Sequence, residues 1–458
     1  MMRLPFRSGR HVPPDLRQNF IHLYLDIAWF GVLAASAIAF LSVYAARLGA
    51  TGIQIGLLSA APAAVTLLLA LPSGRWLEGQ RMDRAVFWSA LLHRAFYLLW
   101  IPLPILLGPQ EQIWALVGAT LAMSIPGTIL SVGFNALFAD VVPPEWRGHV
   151  VGVRNAVMAV VYITVSLLAG YLLDVLPFPA GYQVVFAIGF VGAAMSTLHL
   201  RFVMLHPGAS LQPRVGRALR DPATPGRPRG LVDALRPGVA LRFLTRRRGA
   251  SLAAPEILAG PFGRILLALF AFHLTVNLAV PLFPIHWVNE LHLSDRYIGL
   301  GTALFYVSVF VGSTQLDSLA RRIGNKRVTA LGAMIMSLYP GLMALASGGT
   351  LFLIASVVGG FGWALAGGAL ANYLLDEIPA DRRPAHLAWY NLAMNAALLL
   401  GSIAGPALGG IVTIPVALGI FAVARLLAAV GIWRAPGGAP TAAPRARPLS
   451  KRLFRRLS

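Results

Sequence analysis

The chain alternates apolar stretches of about twenty residues with short charged turns, and this leaves very few folds open to it. The stretches lie at roughly 20–46, 52–72, 84–107, 112–139, 149–174, 182–204, 263–288, 295–319, 327–346, 350–375, 385–410 and 411–433. Each can cross a hydrocarbon core of about 30 Å as an α-helix. Lipid cannot satisfy free backbone groups, so only helices or a closed barrel can span it, and the period-two pattern of barrel strands is absent. Charged residues make up 12% of the chain, about half the proportion in a soluble protein. The first stretch exceeds the about 7–15 apolar residues of a signal peptide and is expected to be a retained helix. The sequence has no cysteine, which excludes disulfides, thiol nucleophiles and cysteine-ligated metals. The expected fold is an all-α membrane protein of twelve transmembrane helices.

Two pairs of segments divide the twelve into related halves. Asp140, Pro143, Arg147 and Asn155 recur in register as Asp376, Pro379, Arg383 and Asn391. RLGATGIQIGLLSA, from Arg47, matches ELHLSDRYIGLGTA, from Glu290, with Leu48/Leu291, Ile55/Ile298, Gly56/Gly299, Leu57/Leu300 and Ala60/Ala303 identical. The expected organisation is a six-helix bundle over 1–204, a basic linker over 205–262, a second six-helix bundle over 263–434 and a basic tail over 435–458.

The net charge of +21 is concentrated, with +3 in residues 1–17, +9 in 201–264 and +7 in 434–458. These segments and the arginine-bearing turns all fall on one side of an even number of spans. The positive-inside rule makes that side cytoplasmic, with both termini there and the protein in the cell's inner (plasma) membrane. The linker and tail are expected to meet anionic lipid headgroups rather than nucleic acid. Each reads equally as a surface amphipathic helix or as a disordered basic segment.

Two turns occupy symmetric places. One is Gly74-Arg-Trp-Leu77-Glu78-Gly-Gln-Arg81-Met-Asp83-Arg84, between spans 2 and 3. The other is Asp317-Ser-Leu319-Ala320-Arg321-Arg322-Ile-Gly324-Asn-Lys326-Arg327, between spans 8 and 9. With the six-plus-six arrangement they resemble the major facilitator superfamily, whose loop there reads approximately G-x-L-a-D-r-x-G-r-R-r. Gly74, Leu77 and Arg84 fit the first copy, Glu78 stands for Asp, and Arg81 replaces a glycine. Leu319, Ala320, Gly324, Lys326 and Arg327 fit the second, while Asp317 and Arg321 depart. The resemblance implies two pseudo-symmetric six-helix bundles, with spans 1, 4, 7 and 10 lining a central cavity reached alternately from each side. It implies a secondary transporter of a small solute. Gly401-Ser-Ile-Ala-Gly405-Pro406-Ala-Leu-Gly409-Gly410 resembles the family's antiporter pattern but lies in span 11 rather than span 5, and is read as tight helix packing.

Ionisable groups inside a membrane are functional candidates. Asp26 lies on span 1, one turn from His22, and Arg94 lies on span 3. The expected pair Asp26–Arg94 is either a titratable element coupled to transport or a static neutralising pair. His273 and Asn277 share a face of span 7, Asn135 and Asn372 close the cytoplasmic ends of spans 4 and 10, and Asn391 is on span 11. Trp363 could stack on a solute. So sparse a set of charges tilts the solute toward an apolar, amphipathic or weakly cationic compound. A secondary transporter driven by an ion gradient, with protons as the expected ion and no cofactor, is the leading reading; proton-coupled efflux of such a compound is one form of it, and the direction of transport stays open.

The cytoplasmic turns carry complementary charge. In the expected gate, Asp140 and Glu145 face Arg321, Arg322 and Lys326, while Glu78 faces Arg382 and Arg383. Gly74, Arg84, Arg147, Gly324 and Asp376 belong to the same turns. No phosphate-binding GxxxxGK[ST] is present, nor HExxH or a Ser/His/Asp grouping, so an enzyme is not expected. The alternative is a transporter-like sensor or assembly partner without flux. The chain is expected to act as a monomer.

Overall fold

A computed structural model describes residues 14–205, 256–379 and 383–436. Residues 206–255 of the linker, 437–458 of the tail and Arg382 lie outside the described residues, as do the side chains of Glu78 and Arg383. Twelve long helical segments follow in order. The first, α1, is Pro14–Leu33, a π-helical turn Ala34–Ile38, and Ala39–Arg47. Then come α2 (Gly52–Glu78), α3 (Met82–Trp100), α4 (Pro109–Val141), α5 (Pro144–Val175) and α6 (Ala180–Arg201). The second half opens with a short turn, Glu256–Ala259, and α7, made of Pro261–Ala279, Leu282–Ile285 and a π-helical turn His286–Glu290. It continues with α8 (Asp295–Ile323), α9 (Asn325–Ala344), α10 (Gly349–Glu377), α11 (Arg383–Ile411) and α12 (Ile414–Arg434). Ten of these are long and apolar enough to cross a membrane by themselves. The other two are the symmetry-related α3 and α9. Asp83, Arg84 and Arg94 interrupt α3, and Lys326 and Arg327 open α9.

Local chemistry sets the breaks. Thr51 closes a capping box at the start of α2, its hydroxyl accepting from Gln54 N while Gln54 Oε1 accepts from Thr51 N at 2.8 Å. Ser294, its counterpart in the repeat, has the same extended N-cap backbone before α8. Two residues ahead of each cap the chain turns through a left-handed conformation, at Gly49 and at His292. Gly324, the family-pattern glycine between α8 and α9, has φ +83°, which an L side chain resists. Pro281, with no backbone N–H, interrupts α7. The break between α11 and α12 falls at Val412–Thr413, with Thr413 as N-cap and Pro415 in the first turn.

The hydrophobic core is asymmetric from end to end. At the arginine-poor end one continuous cluster draws on both halves, joining Leu41, Tyr44, Ile55, Leu173 and Tyr182 to Leu282, Phe283, Val288 and Ile298. At the arginine-rich end each half closes its own core. Leu16, Phe20, Leu137, Val141 and Trp146 form one, and Phe262, Leu269, Leu374, Tyr390 and Ile432 the other. A stacked pair also spans the seam, Tyr162 on α5 and Tyr306 on α8, with centroids 3.9 Å apart.

Two glycines let the seam close. A Cβ on Gly56 would lie 2.1 Å from the Ser402 carbonyl oxygen, where α2 crosses α11. A Cβ on Gly299 would lie 2.6 Å from the Ser166 carbonyl oxygen, where α8 crosses α5. These glycines are the aligned pair of the sequence repeat, so that identity marks two equivalent backbone crossings.

Candidate functional site

The intramembrane charges of the first half converge on Asp26. Its carboxylate accepts from Ser196 Oγ at 2.6 Å and from both terminal nitrogens of Arg154 at 3.3 Å, and Arg94 Nη2 lies at 3.8 Å. Arg94 also donates to Thr197 Oγ1 at 3.1 Å. Arg154 donates to the Leu23 carbonyl and stands 5.0 Å from the centroid of the Phe134 ring. All three ionic groups are buried. The expected pair is thus extended to a cluster of two arginines and one carboxylate, because Arg154 of α5 reaches Asp26 Oδ2 while Arg94 of α3 lies against Oδ1. His22 is not Asp26's partner. Its Nδ1 lies 3.2 Å from His199 Nδ1, and its ring stacks on Phe202.

The second half contains no equivalent cluster among its described residues. Arg425 on α12 is buried and donates to the carbonyls of Met336, at 3.1 Å, and Thr275, at 2.9 Å. His273 Nε2 lies 3.0 Å from Tyr390 Oη, and Asn277 donates to the His273 carbonyl. Asn391 donates to the Leu387 carbonyl, one turn back. Asn135 bonds back to the Ser131 carbonyl, and Asn372 is exposed. Trp363 is 44% exposed, on a sector of α10 turned away from the residues that meet α8 and α9.

A cavity of about 330 Å³ lies among α1, α2, α3 and α4. Apolar groups (Leu41, Leu58, Met123) line it together with His93, Tyr97, Trp100, Thr120, Ser124 and Thr128. It holds no carboxylate, lysine or arginine. Trp100 Nε1 and Thr120 Oγ1, both on buried residues of its lining, have no hydrogen-bond partner. Buried donors without partners are uncommon and cost about 1–3 kcal/mol each.

The ends of the molecule carry different charge chemistry. At the arginine-poor end Arg47 of α1 crosses to the second half, reaching Asp295 Oδ1 at 3.1 Å and the Leu293 carbonyl at 2.7 Å. Tyr182 Oη donates to the same carboxylate oxygen at 2.9 Å. At the arginine-rich end several charged side chains of the expected gate contact groups of their own half, while Arg382 and the side chains of Glu78 and Arg383 lie outside the described residues. Arg321 pairs with Asp317 one turn away, Lys326 donates to the Ala435 carbonyl, and Asp376 accepts from Asn325 at 2.7 Å. Asp83 pairs with Arg81 at 3.0 Å, the residue that stands where the family has glycine. Arg147 caps α4 through the Ala139 and Val142 carbonyls, Glu145, Arg84 and Arg322 are exposed, and Gly74 is buried. Asp140, also exposed, ends α4.

Arg154, Arg425, Arg47 and Asp295 were not singled out from the sequence. Arg154 and Arg425 sit inside apolar windows, the same signal that identifies Asp26. Arg47 and Asp295 sit at span ends, where a charge is ordinary, and nothing in the sequence marks them as partners.

The sequence model of the Major Facilitator Superfamily matches residues 26–259 and 265–457. Among curated proteins, the Quinolone resistance protein NorA of Staphylococcus aureus is 22% identical over 142 residues, covering 31% of this chain and 35% of that protein. Multidrug resistance protein 1 of Bacillus subtilis is 28% identical over 146 residues, covering 32% and 36%. The matches thus span about a third of these relatives' length. Among solved structures, a bacterial homologue of the iron transporter ferroportin in its inward-facing state superposes with a TM-score of 0.66 at 17% identity, covering 93% of this chain and 99% of that one. The outward-facing state of a bacterial ferroportin homologue gives 0.52. The chain belongs to the Major Facilitator Superfamily, a family of membrane transporters.

Proposed function

We propose that the protein exports a small, uncharged or amphipathic solute across the cell membrane by rocking its two bundles. The observation that carries this reading is the one-sided core, joined across the halves at the arginine-poor end and divided at the arginine-rich end. With the arginine-rich end in the cytoplasm, as the positive-inside rule directs, this is an inward-facing state ready to load from the cytoplasm. The ferroportin-homologue superpositions, better for the inward-facing form, support that assignment.

The cavity of α1–α4 supports the solute class. Its uncharged wall favours an apolar body, and Trp100 and Thr120 offer one donor and one hydroxyl to a polar group. Export is supported by the partial kinship with two proteins named for drug resistance. The driving ion in this reading is the proton, with Asp26 as its acceptor in a state where Arg154 has drawn back. Since Asp26, Arg94 and Arg154 lie on different helices, such a proton would loosen α1 from α3 and α5.

The test is flux. Purified protein in liposomes is given an imposed proton gradient and a panel of apolar and amphipathic dyes, alongside Asp26→Asn and Trp100→Phe. Gradient-dependent dye movement that Asp26→Asn abolishes and Trp100→Phe weakens is the expected result. A sensor without flux would move no dye under any proton or sodium gradient, and that result would overturn the reading.

A further inference from the structure

A second cavity lies far from the seam, and no part of the transport reading uses it. It is a groove of about 640 Å³ between the arginine-rich ends of α3 and α6. Arg81, Asp83, Arg84, Phe87, Trp88 and Arg201 line it, followed by the chain from Phe202 to Leu205. We propose that this groove seats the phosphate headgroup of an anionic phospholipid, whose acyl chains run along the outer faces of α3 and α6.

Charge and shape both lead there. Asp83 is engaged by Arg81, so among the described residues Arg84 and Arg201 are the groove's uncompensated cations. Arg201 is held in place over the Phe87 ring, 5.4 Å from its centroid. Trp88, Phe202 and Met204 line the same groove and are 57%, 44% and 65% exposed, which is interfacial chemistry, apolar below and cationic above. From Trp88 the exposed apolar track continues along Leu91 and Leu92 of α3, with Leu198 beside it on α6. A free phosphate has no use for such a track, whereas a two-chain lipid fills it.

The symmetry-related corner, α9 with α12, is built from the same residue types but is already occupied by the protein. Arg327 stands 5.9 Å from the Trp433 ring centroid, and Lys326 is fastened to the Ala435 carbonyl. In the first-half corner Arg201 rests on an aromatic ring in the same way, but among the described residues neither Arg84 nor Arg201 is fastened to a backbone carbonyl.

Full-length protein in detergent is mixed with phosphatidylglycerol or phosphatidylcholine, and retained lipid is counted by native mass spectrometry. Wild type should retain phosphatidylglycerol preferentially. Each arginine near a membrane surface contributes about five-fold in affinity, so Arg84→Gln/Arg201→Gln should bind about 25-fold more weakly. Arg84→Lys/Arg201→Lys should retain the lipid, as should the control Arg75→Gln, and inorganic phosphate should not displace it. Trp88→Ala should weaken retention with both cations intact, so the proposal stays testable should the double glutamine variant fold poorly. Retention by Arg84→Gln/Arg201→Gln equal to that of Arg75→Gln would overturn the proposal, and is the result expected if the chain after Leu205 covers the groove. Equal retention of the two lipids, or full displacement by inorganic phosphate, would overturn it as well.

Discussion

Replacing Gly56 by alanine should open the arginine-poor end. The new methyl would sit 2.1 Å from the Ser402 carbonyl oxygen, whereas ordinary contact begins at 3.4 Å, so α2 and α11 must part by about 1.3 Å. The obstacle is backbone, which cannot rotate away as a side chain tip can. Overpacking of this kind costs about 1–3 kcal/mol. The strain exists only while the seam is closed, so it shifts the balance of closed and open forms by about 5- to 150-fold toward open. Gly299→Ala should act in the same direction more weakly, since its shortfall at Ser166 is about 0.8 Å (3.4 against 2.6 Å). The absence of native cysteines makes the assay direct. Spin labels on Thr51→Cys and His292→Cys, both exposed at that end, report its width by double electron–electron resonance. Both alanine variants should gain a long-distance population. Gly118→Ala, whose methyl would meet nothing within 4 Å, should not. An unchanged distance distribution in well-folded Gly56→Ala would refute the reasoning, as would an equal shift in Gly118→Ala.

Arg47→Gln or Asp295→Asn should widen the same end, because each removes the charge-assisted bond that ties the halves there, worth about 1.5–3 kcal/mol; the same labels measure it. Asp26→Asn should lower the thermal midpoint more than Arg154→Gln does. The first leaves two buried guanidiniums without a counter-charge, at about 3–5 kcal/mol, while the second leaves the Asp26–Arg94 pair intact; a thermal-shift series in detergent ranks them, and the reverse order would contradict the cluster's assignment. Once a transported dye is identified, Trp100→Phe should weaken its binding about three- to ten-fold by removing one donor, with little effect on a solute that lacks an acceptor; equilibrium binding of the two solutes decides it.

Much of this architecture is a direct consequence of local sequence. A stretch such as Ile414–Arg434 must be helical in lipid, whatever it packs against, because no other conformation satisfies its backbone. The breaks are equally local, since Pro281, Thr51 and Gly324 act through their own backbones. The doubling of the fold was readable too, and Gly56/Gly299 carried more than kinship, each marking a place where the halves touch backbone to backbone.

What the sequence could not determine was which charges meet. Asp26 could be recognised as costly in a membrane, yet its choice of Arg154 as well as Arg94 depends on how α1, α3 and α5 are rotated about their axes. The turns at the arginine-rich end have complementary charges, but Arg81 and Asp317 satisfy Asp83 and Arg321 inside their own halves. At the other end a link between the halves is made by Arg47 and Asp295, separated by 248 residues. Hydropathy depends on each residue's own transfer free energy and survives any arrangement of the helices. A salt bridge depends on a few ångströms of relative position, which only the packed bundles supply.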